Sequence, residues 1–546
     1  MWVGLALYFT VCCLVVGRSQ EAANVVHTTC GDVRGIIRST TTGSVLALLG
    51  IPFAEPPVGE RRFRKPMPKK PWKGVLNATS LPPMCPQPPV KVNSHFDVKA
   101  TDPFSEDCLF LNVFKPVSKH DSTLKHVVVF VHGGAFTFGG IYLKIFDASE
   151  LAVRGDLVVV TIAYRLGPFG FLYLGTEEAP GNMGLYDQQL AMQWVRENVR
   201  SFGGNPDVIT AMGQSAGAMS LGIHLLSPGS AGLFRRAYMQ SGSPFVSAFS
   251  SSPVEARRKT DMLASYLDCK ERNDRELSVS QVISCLQAKR VDDIVKGARV
   301  FNADGLNGFF PVLGGDFVLG TPDNAPALVP HSVSDVLISI CAAEGDFLID
   351  HMLKLANNID NIQLVSKRYM ALLIKLSLAR SMIADAEPIF ERYFRPAAAD
   401  SGVQVVHAGS DILRDFYFGC PARSIAQWLS ASNTSVYFLL YDEQLSTLDW
   451  PDWVRSTHGD DLAFSLGSAL VLDGHPSEGN VRATENLINV VATFSRSGVP
   501  KVLDGTVWPK FDDEGQYLHI RNGSSVRRKH FLQSTCEFWR SIVPNE

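Results

Sequence analysis

Met212-Gly213-Gln214-Ser215-Ala216-Gly217-Ala218 is the stretch of sequence that decides the fold. It has the form G-x-S-x-G, and an apolar run at residues 208–212 leads into it. This pattern predicts a strand, a turn too tight for large side chains and then a helix, with the serine at the turn. A Cβ atom at Gly213 or Gly217 would collide with the turned backbone. Ser215 is therefore predicted to stand clear of a sheet as a candidate nucleophile.

Apolar runs on both sides of this stretch predict a sheet that is buried on both faces. They cover residues 126–131, 157–164, 335–341 and 435–441. A helical pattern at residues 187–196 precedes the serine strand, and alternation of strands with helices indicates a large, mostly parallel α/β sheet flanked by helices. Helix-rich segments at residues 255–300 and 347–395 predict insertions, and we interpret the second as a cap or lid.

The N-terminus has the character of a targeting segment. Residues 1–17 are apolar apart from one threonine, and the chain turns polar at Arg18. We predict a cleaved signal peptide at residues 1–19, with a signal anchor as the alternative because no basic residue precedes the apolar run. No later run is long and apolar enough to span a bilayer. Residues 20–546 are predicted to form one domain, because no convincing boundary interrupts them.

Composition narrows the class of partner. The 546 residues are 46% hydrophobic and 19% charged, which is typical of a globular protein with a large core. A net charge of −3 gives no electrostatic basis for binding nucleic acid or an anionic membrane surface. Composition thus argues against a nucleic-acid partner, and the prediction of a small-molecule substrate depends on the motifs that follow.

Cysteines and sequons agree with a secreted, extracellular protein. After the signal the cysteines are Cys30, Cys85, Cys108, Cys269, Cys285, Cys341, Cys420 and Cys536. Their number is even, as disulfides require, but spacing does not determine their pairing. The C-x-x-C spacing of metal sites is missing, so no metal is expected. Asn77, Asn433 and Asn522 each begin an N-x-S/T acceptor sequence for glycosylation.

A serine nucleophile needs a base to take its proton and a carboxylate to orient that base. In α/β-hydrolases the three follow in the order serine, acid, histidine, each after a strand. Glu344 follows the apolar run at residues 335–341, and His458 follows the run at residues 435–441. Chain order leaves alternatives open, namely His407 and His475 for the base and Asp335 and Asp346 for the acid.

A second motif, His132-Gly133-Gly134-Ala135, follows the apolar run at residues 126–131. It matches the H-G-G-G type of turn, whose backbone N–H groups bind the oxyanion formed during acyl transfer. Small residues are needed there so that the main chain can approach the substrate oxygen. The motif therefore predicts an oxyanion hole next to Ser215.

These stretches together resemble the type-B carboxylesterase and cholinesterase family. The matching motifs are Gly50-Ile51-Pro52-Phe53-Ala54, Ser105-Glu106-Asp107-Cys108-Leu109-Phe110-Leu111-Asn112-Val113, His132-Gly133-Gly134-Ala135-Phe136, Tyr164-Arg165-Leu166-Gly167, Gly181-Asn182-Met183-Gly184-Leu185-Tyr186-Asp187-Gln188, Phe202-Gly203-Gly204-Asn205-Pro206, the Ser215 stretch, Gln240-Ser241-Gly242-Ser243, Glu344-Gly345, His458-Gly459-Asp460-Asp461 and Trp508-Pro509. They cover nearly the whole chain after the signal. The resemblance implies an α/β-hydrolase fold with cap insertions and ester hydrolysis without a cofactor.

The resemblance also implies a role for each matching site residue. Ser215 would be the nucleophile, Glu344 the acid and His458 the general base. The oxyanion hole would consist of the amides of Gly134, Ala135 and Ala216, and Ser241 would place a hydroxyl near the triad.

Three disulfides follow from the same resemblance. They are Cys85–Cys108, Cys269–Cys285 and Cys420–Cys536, and the third resembles the cholinesterase-like branch of the family. Cys30 and Cys341 would remain free.

Two departures from the family pattern bear on the substrate. The residue before the nucleophile is Gln214, where the family usually has glutamate. Juvenile hormone esterases resemble this chain in having glutamine at that position. Residues 86–107 contain no tryptophan, whereas cholinesterases place one in this loop to bind quaternary ammonium by cation–π contact. The sequence therefore predicts a serine esterase for uncharged esters. The alternatives are a cholinesterase, a juvenile-hormone-esterase-like enzyme and a neuroligin-like adhesion protein without catalysis.

Overall fold

The computed structural model describes residues 24–543, apart from a set of internal positions. Those positions are 94, 118–122, 273–274, 302–307, 319, 321–331, 358–360, 382, 384, 396–400, 447 and 473. The predicted signal peptide at residues 1–19 therefore lies outside the described residues.

Eighteen strands are present among these residues. In chain order they are β1 (Val25–Thr28), β2 (Gly31–Arg34), β3 (Ile36–Ser39), β4 (Ser44–Pro52), β5 (Val75–Asn77), β6 (Phe110–Pro116), β7 (Lys125–Val131), β8 (Val158–Ile162), β9 (Tyr173–Thr176), β10 (Ala179–Pro180), β11 (Gly204–Gln214), β12 (Arg236–Gln240), β13 (Glu271–Arg272), β14 (Arg275–Glu276), β15 (Asp335–Cys341), β16 (Ser435–Asp442), β17 (Tyr517–Arg521) and β18 (Ser524–Arg528). Eleven of them form one sheet in the order β18-β17-β16-β15-β12-β11-β7-β8-β6-β4-β3.

Within the run of seven strands from β17 to β8, every adjacent pair is parallel. Beyond this run, antiparallel strands extend the sheet at both edges. This confirms the prediction of a large, mostly parallel central sheet. The remaining strands form small sheets, β1-β2-β5, β9-β10 and β13-β14.

Fifteen α-helices lie between the strands in the part of the chain that the structure describes. They are α1 (Ser149–Gly155), α2 (Gly167–Phe171), α3 (Met183–Asn198), α4 (Ala216–Leu225), α5 (Pro253–Tyr266), α6 (Val279–Ala288), α7 (Val291–Phe301), α8 (Asp346–Asn357), α9 (Lys367–Ser377), α10 (Glu387–Phe394), α11 (Gly402–Arg414), α12 (Cys420–Ala431), α13 (Asp460–Leu466), α14 (Glu478–Ser497) and α15 (Gln533–Ile542). A π-helical segment, Asp415–Gly419, joins α11 to α12.

Strand β7 shows why the central strands have continuous apolar sequences. Val127 and Val129 belong to the hydrophobic cluster on one face of the sheet, with residues of α3 and α4. Val128 and Phe130 belong to the cluster on the other face, with residues of α1 and α14. Successive side chains of a strand point to opposite faces, so covering both faces requires an apolar residue at each position.

The two predicted insertions are helical. Helices α5, α6 and α7 lie within or beside the first, at residues 255–300, and α8, α9 and α10 occupy most of the second, at residues 347–395. The second insertion begins directly after Glu344, so its first helix borders the candidate site.

The structure contains the three disulfides that the family resemblance implies. They are Cys85–Cys108, Cys269–Cys285 and Cys420–Cys536, and Cys30 and Cys341 are free and buried. Cys420–Cys536 joins the start of α12 to α15 across 116 residues of sequence. None of the described helices has the length and apolar character needed to cross a membrane.

A buried ion pair fixes the segment after β8 to helix α3. Arg165 Nη2 lies 2.7 Å from Asp187 Oδ1, and Arg165 Nε donates to Asp187 Oδ2 at 2.8 Å. The backbone N–H of Arg165 donates to the same Oδ2 atom at 3.0 Å, and its Nη1 donates to the carbonyl of Arg64 at 2.8 Å. Both partners are almost fully buried. The carboxylate thus closes three hydrogen bonds with one residue.

Candidate active site

Ser215 lies at the turn between β11 and α4, as the sequence predicts. Its φ of 55° and ψ of −123° are rare for a non-glycine residue, which marks a strained turn. Its N–H is held by the carbonyl of Gln240 on β12 at 2.8 Å. A Cβ atom at Gly217 would lie 2.1 Å from the carbonyl oxygen of Val131, so only glycine fits there.

Glu344 and His458 meet at the carboxyl end of the sheet. Glu344 follows β15 and His458 lies in the loop after β16, and His458 Nδ1 is 2.6 Å from Glu344 Oε2. The other carboxylate oxygen of Glu344 accepts hydrogen bonds from Ser241 Oγ at 2.5 Å and from the N–H of Cys341 at 2.6 Å. This places the hydroxyl of Ser241 where the resemblance implies it.

The other residues that chain order left open lie elsewhere. His407 Nε2 contacts the carbonyl oxygen of Trp453 at 2.8 Å, and His475 is exposed. Asp335 pairs with Arg236 at 3.2 Å, and Asp346 pairs with Arg455 at 2.8 Å. Neither acid is paired with a histidine. Geometry therefore favours Glu344 and His458.

Gln214 makes a contact that the sequence does not predict. Its side-chain nitrogen Nε2 lies 3.2 Å from His458 Nε2. No hydrogen bond joins Ser215 Oγ to His458 among the described residues, although both side chains line the same cavity. With Nδ1 donating to Glu344, Nε2 of the neutral imidazole is an acceptor. In this conformation the amide of Gln214 therefore occupies His458 Nε2, the nitrogen that would have to accept the proton of Ser215.

Unengaged N–H groups lie beside Ser215. Gly134 and Ala135 have φ of 110° and 50°, and a Cβ at Gly134 would lie 2.0 Å from the carbonyl oxygen of Phe138. Within the described part of the chain, the N–H groups of Gly134, Ala135 and Ala216 have no acceptor. The turn geometry that glycine permits thus leaves three donors available near the serine.

His132 supports this turn from the core. It is fully buried, its Nδ1 lies 2.8 Å from the carbonyl oxygen of Gly133, and its ring stacks on Tyr164 at 4.4 Å. Burial lowers the pKa of His132 to about 4, so the ring is neutral at pH 7. The hydroxyl of Tyr164 donates to the carbonyl of His132 at 2.9 Å. His132 therefore serves the turn rather than proton transfer.

Seven aromatic side chains line the cavity that contains Ser215. The cavity has a volume of about 210 Å³ and contains Ser215 and His458. Its aromatic wall consists of Phe96, Phe138, Phe146, Phe249, Phe347, Phe418 and Trp450. Phe347 stacks on the ring of His458 at 4.6 Å. Trp450 comes from the loop after β16, outside residues 86–107, and only the fold reveals that it reaches the site.

Two buried carboxyl groups lie directly behind His458, on the first turn of α13. Asp461 Oδ2 accepts hydrogen bonds from Gln240 Nε2 at 2.9 Å and Ser339 Oγ at 3.0 Å. Burial raises the pKa of Asp461 to about 6. Burial also raises the pKa of Asp460 well above its ordinary value, although Asp460 Oδ2 accepts the N–H of Thr457 at 2.8 Å. Among the described residues there is no His/Cys/Asp/Glu group that could hold a metal ion.

The fold and the site together define an α/β-hydrolase: a serine on a strained strand-to-helix turn, with a glutamate–histidine pair after later parallel strands. Comparison with protein families gives the narrower assignment. The model of the Carboxylesterase family matches residues 22–539. The chain therefore belongs to the Carboxylesterase family, and it is a carboxylic ester hydrolase.

Two curated relatives extend this assignment. The acetylcholinesterase of Bungarus fasciatus is 33% identical over an alignment of 559 residues, which covers 100% of this chain and 90% of that protein. The cholinesterase of Mus musculus is 32% identical over 553 aligned residues, which covers 98% of this chain and 90% of that protein.

Proposed function

We propose that this chain is a secreted serine esterase that hydrolyses uncharged carboxylic esters through an acyl-enzyme. The observation that carries this proposal is the 2.6 Å contact between Glu344 and His458 in the loops that border Ser215. Ser215, His458, Gly134 and Ala135 all line one apolar cavity.

In the proposed reaction, Ser215 Oγ attacks the ester carbonyl carbon while its proton moves to His458 Nε2. The N–H groups of Gly134, Ala135 and Ala216 bind the oxyanion. The tetrahedral intermediate collapses, and the alcohol leaves with the proton from His458. A water molecule then attacks the acyl-enzyme by the same route and releases the acid. Before the first step, the contact between Gln214 and His458 Nε2 must break, so that Ser215 can donate its hydrogen bond to that nitrogen.

The charges at the site support uncharged rather than cationic esters. Gln214 provides a neutral amide directly before Ser215, where the family usually has a carboxylate. Asp350 is the acid that lines the cavity, and its Oδ2 lies 2.6 Å from Lys354 Nζ. Its charge is therefore already balanced by a lysine.

A cholinesterase is the second candidate, because Trp450 and six phenylalanines line the cavity. Such rings can bind a quaternary ammonium group by cation–π contact, and both curated relatives are cholinesterases by name. The assay is hydrolysis of acetylthiocholine against a neutral thioester with the same acyl group. We expect a higher kcat/KM for the neutral ester, and a strong preference for acetylthiocholine would favour the second candidate.

Substitution of the nucleophile tests the mechanism. We expect Ser215→Ala to lower kcat by about 10⁴-fold or more, because no other group at the turn can form the acyl-enzyme. Hydrolysis of a neutral aryl ester measures the loss, and Ser280→Ala, an exposed serine on α6, is the control. Wild-type rates for Ser215→Ala would refute the mechanism, because hydrolysis would then not depend on this serine. A wild-type protein without ester hydrolysis would favour a non-catalytic, adhesion-type function.

Gln214→Glu tests the charge argument. A carboxylate 3.2 Å from His458 Nε2 would favour the protonated imidazole and attract a cationic substrate. We expect kcat/KM for a cationic ester to rise relative to its neutral isostere, and the acid limb of the pH profile to move to higher pH. Gln214→Ala, which removes the amide without adding charge, is the control. An unchanged substrate ratio and pH profile would contradict the argument.

The proposal of secretion rests on the three disulfides and the sequons. Asn77, Asn433 and Asn522 are all exposed, as attached glycans require. We propose residues 1–19 as the cleaved signal and residues 20–546 as one hydrolase domain. Expression of the full chain in a secretory cell, followed by N-terminal sequencing and glycosidase treatment, tests secretion, cleavage of the signal and glycosylation. A product retained in the cell with residue 1 intact would contradict the proposal.

A further inference from the structure

A second cavity adjoins the one that contains Ser215. It has a volume of about 420 Å³, and we call it the side chamber. Residues that line both cavities are Val90, Lys91, Ala135, Phe138 and His351. Ala135 lies in the turn with the unengaged N–H groups, so the side chamber begins beside the place where an ester would react. Helix α7 forms part of its far wall.

The charged lining of the two cavities is unbalanced. Apart from the histidines, the charged side chains that line them are Lys91, Arg299, Asp350 and Lys354. Asp350 and Lys354 pair with each other at 2.6 Å. Lys91 and Arg299 are exposed, and neither has an ion-pair partner within the described ranges. Among the described residues that line the two cavities, two positive charges are therefore unpaired and no negative charge is.

The other residues that line the side chamber strengthen the attraction of Lys91 and Arg299 for an anion. Its wall includes Pro168, Phe169, Phe309 and Leu355, and apolar walls concentrate the field of nearby charges. His351 also lines the chamber, and burial lowers its pKa, so at neutral pH it offers a hydrogen bond without charge. The planar guanidinium of Arg299 matches a carboxylate through two parallel hydrogen bonds. A carboxylate is thus the group that this lining suits.

We propose that the side chamber binds the remote carboxylate of an ester, so that this enzyme accepts carboxylate-bearing esters in addition to uncharged ones. The ester bond lies at Ser215, the apolar body of the substrate crosses Ala135 and Phe138, and the carboxylate reaches Lys91 and Arg299. This inference rests on the proposed function, since Ser215 must be the reacting group.

The substrates for the test are aryl half-esters of straight-chain dicarboxylic acids of increasing length. Each is compared with the ester in which a carboxamide replaces the remote carboxylate. We expect KM to be about fivefold lower for the carboxylate at the chain length that spans the chamber, with kcat unchanged. Because the cations are exposed, the difference should shrink as ionic strength rises.

Paired variants identify the residues responsible. Lys91→Gln/Arg299→Gln should abolish the preference for the carboxylate, so that each half-ester and its carboxamide have equal KM values. Lys99→Gln/Lys296→Gln is the matched control, because it makes the same change in net charge. Lys99 follows Lys91 in the same loop region and Lys296 lies on the same helix as Arg299, but neither is among the described residues that line these two cavities.

Equal KM values for each carboxylate and its carboxamide in the wild-type enzyme would overturn the inference. An equal loss of preference in the control pair would overturn it too, because net charge alone would then be the cause. A different outcome would refute the proposed function. In that case Ser215→Ala would still hydrolyse both the carboxylate and the carboxamide esters. If hydrolysis depends on Ser215 but shows no preference for the carboxylate, the inference about the side chamber is wrong and the proposed function still holds.

Discussion

At the scale of single residues, the geometry of the site depends on the hydrogen bonds that both carboxylate oxygens of Glu344 accept. Glu344 is fully buried and accepts hydrogen bonds from His458, Ser241 and Cys341. A buried carboxylate without such donors would be very costly. The three donors fix the orientation of the carboxylate, and the carboxylate in turn fixes the imidazole ring.

Asp461 gives a prediction about stability and pH. Because burial raises its pKa from 3.8 to about 6, the native state disfavours the ionised form. Its contribution to stability is therefore full at low pH and is lost as pH rises through about 6. Asp461→Asn keeps an acceptor for Gln240 and Ser339. We expect it to leave the free energy of unfolding nearly unchanged near pH 4 and to raise it by about 2–3 kcal/mol near pH 7.5.

Urea unfolding at the two pH values measures this difference. Asp513→Asn, at an exposed position, is the control and should change stability little at either pH. The same change for Asp461→Asn at both pH values would contradict the assignment.

The sequence predicts the identity of the central residues but not all of their contacts. Ser215 is fixed by the glycines of its turn, and Glu344 and His458 by the resemblance and by their places after strands. The contact between Gln214 and His458 depends on a side-chain conformation, which spacing does not encode. Trp450 reaches the cavity from a loop far from residues 86–107, so only the folded chain could place it there.

At the scale of elements, the site depends on the carboxyl ends of neighbouring parallel strands. Ser215 follows β11, Ser241 follows β12, Glu344 follows β15 and His458 follows β16, and these four strands are adjacent in the sheet. Side chains delivered from one edge of a rigid sheet hold their distances better than side chains on free loops. The order of strands, rather than any one loop, sets the geometry of the site.

The ion pair between the segment after β8 and helix α3 carries a prediction at this scale. Arg165→Met removes one partner and leaves Asp187 buried without compensation, so we expect a loss of about 3–5 kcal/mol in the free energy of unfolding. Urea unfolding measures it. Arg290→Met is the control, because the pair of Arg290 with Asp292 is exposed and its loss should cost under about 1 kcal/mol.

Adding Asp187→Leu to Arg165→Met separates the causes of that loss. The double variant should recover part of the stability, because no unpaired charge remains in the core. If Arg165→Met were no more harmful than Arg290→Met, the pair would not stabilise the fold.

At the scale of the whole molecule, the Cys420–Cys536 disulfide closes a loop of 116 residues, whereas Cys269–Cys285 closes one of 16. In the chain-entropy description, longer loops constrain the unfolded state more. We expect Cys420→Ser/Cys536→Ser to cost about 4–5 kcal/mol and Cys269→Ser/Cys285→Ser about 3 kcal/mol. Thermal unfolding of both double variants tests the order, and a larger loss from the short loop would contradict it.

The architecture was more predictable than the edges of the sheet. Runs such as residues 126–131 identify central strands, because burial on both faces leaves a continuous apolar sequence. The pairing order of eleven strands is set by contacts between residues far apart in sequence. No local pattern near β17 and β18, at Tyr517–Arg528, reveals that they extend the sheet beyond β16.

The adjacency of β11, β12, β15 and β16 has a consequence for how the chain acquires activity as it folds. The residues that these strands deliver span Ser215 to His458, so more than two hundred positions of chain must be closed into one sheet before the serine and histidine meet. Closure of such long loops is slow, because its entropy is lost before the contacts form. On the proposed mechanism, we therefore expect a nascent or refolding chain to hydrolyse esters only after these four strands have paired.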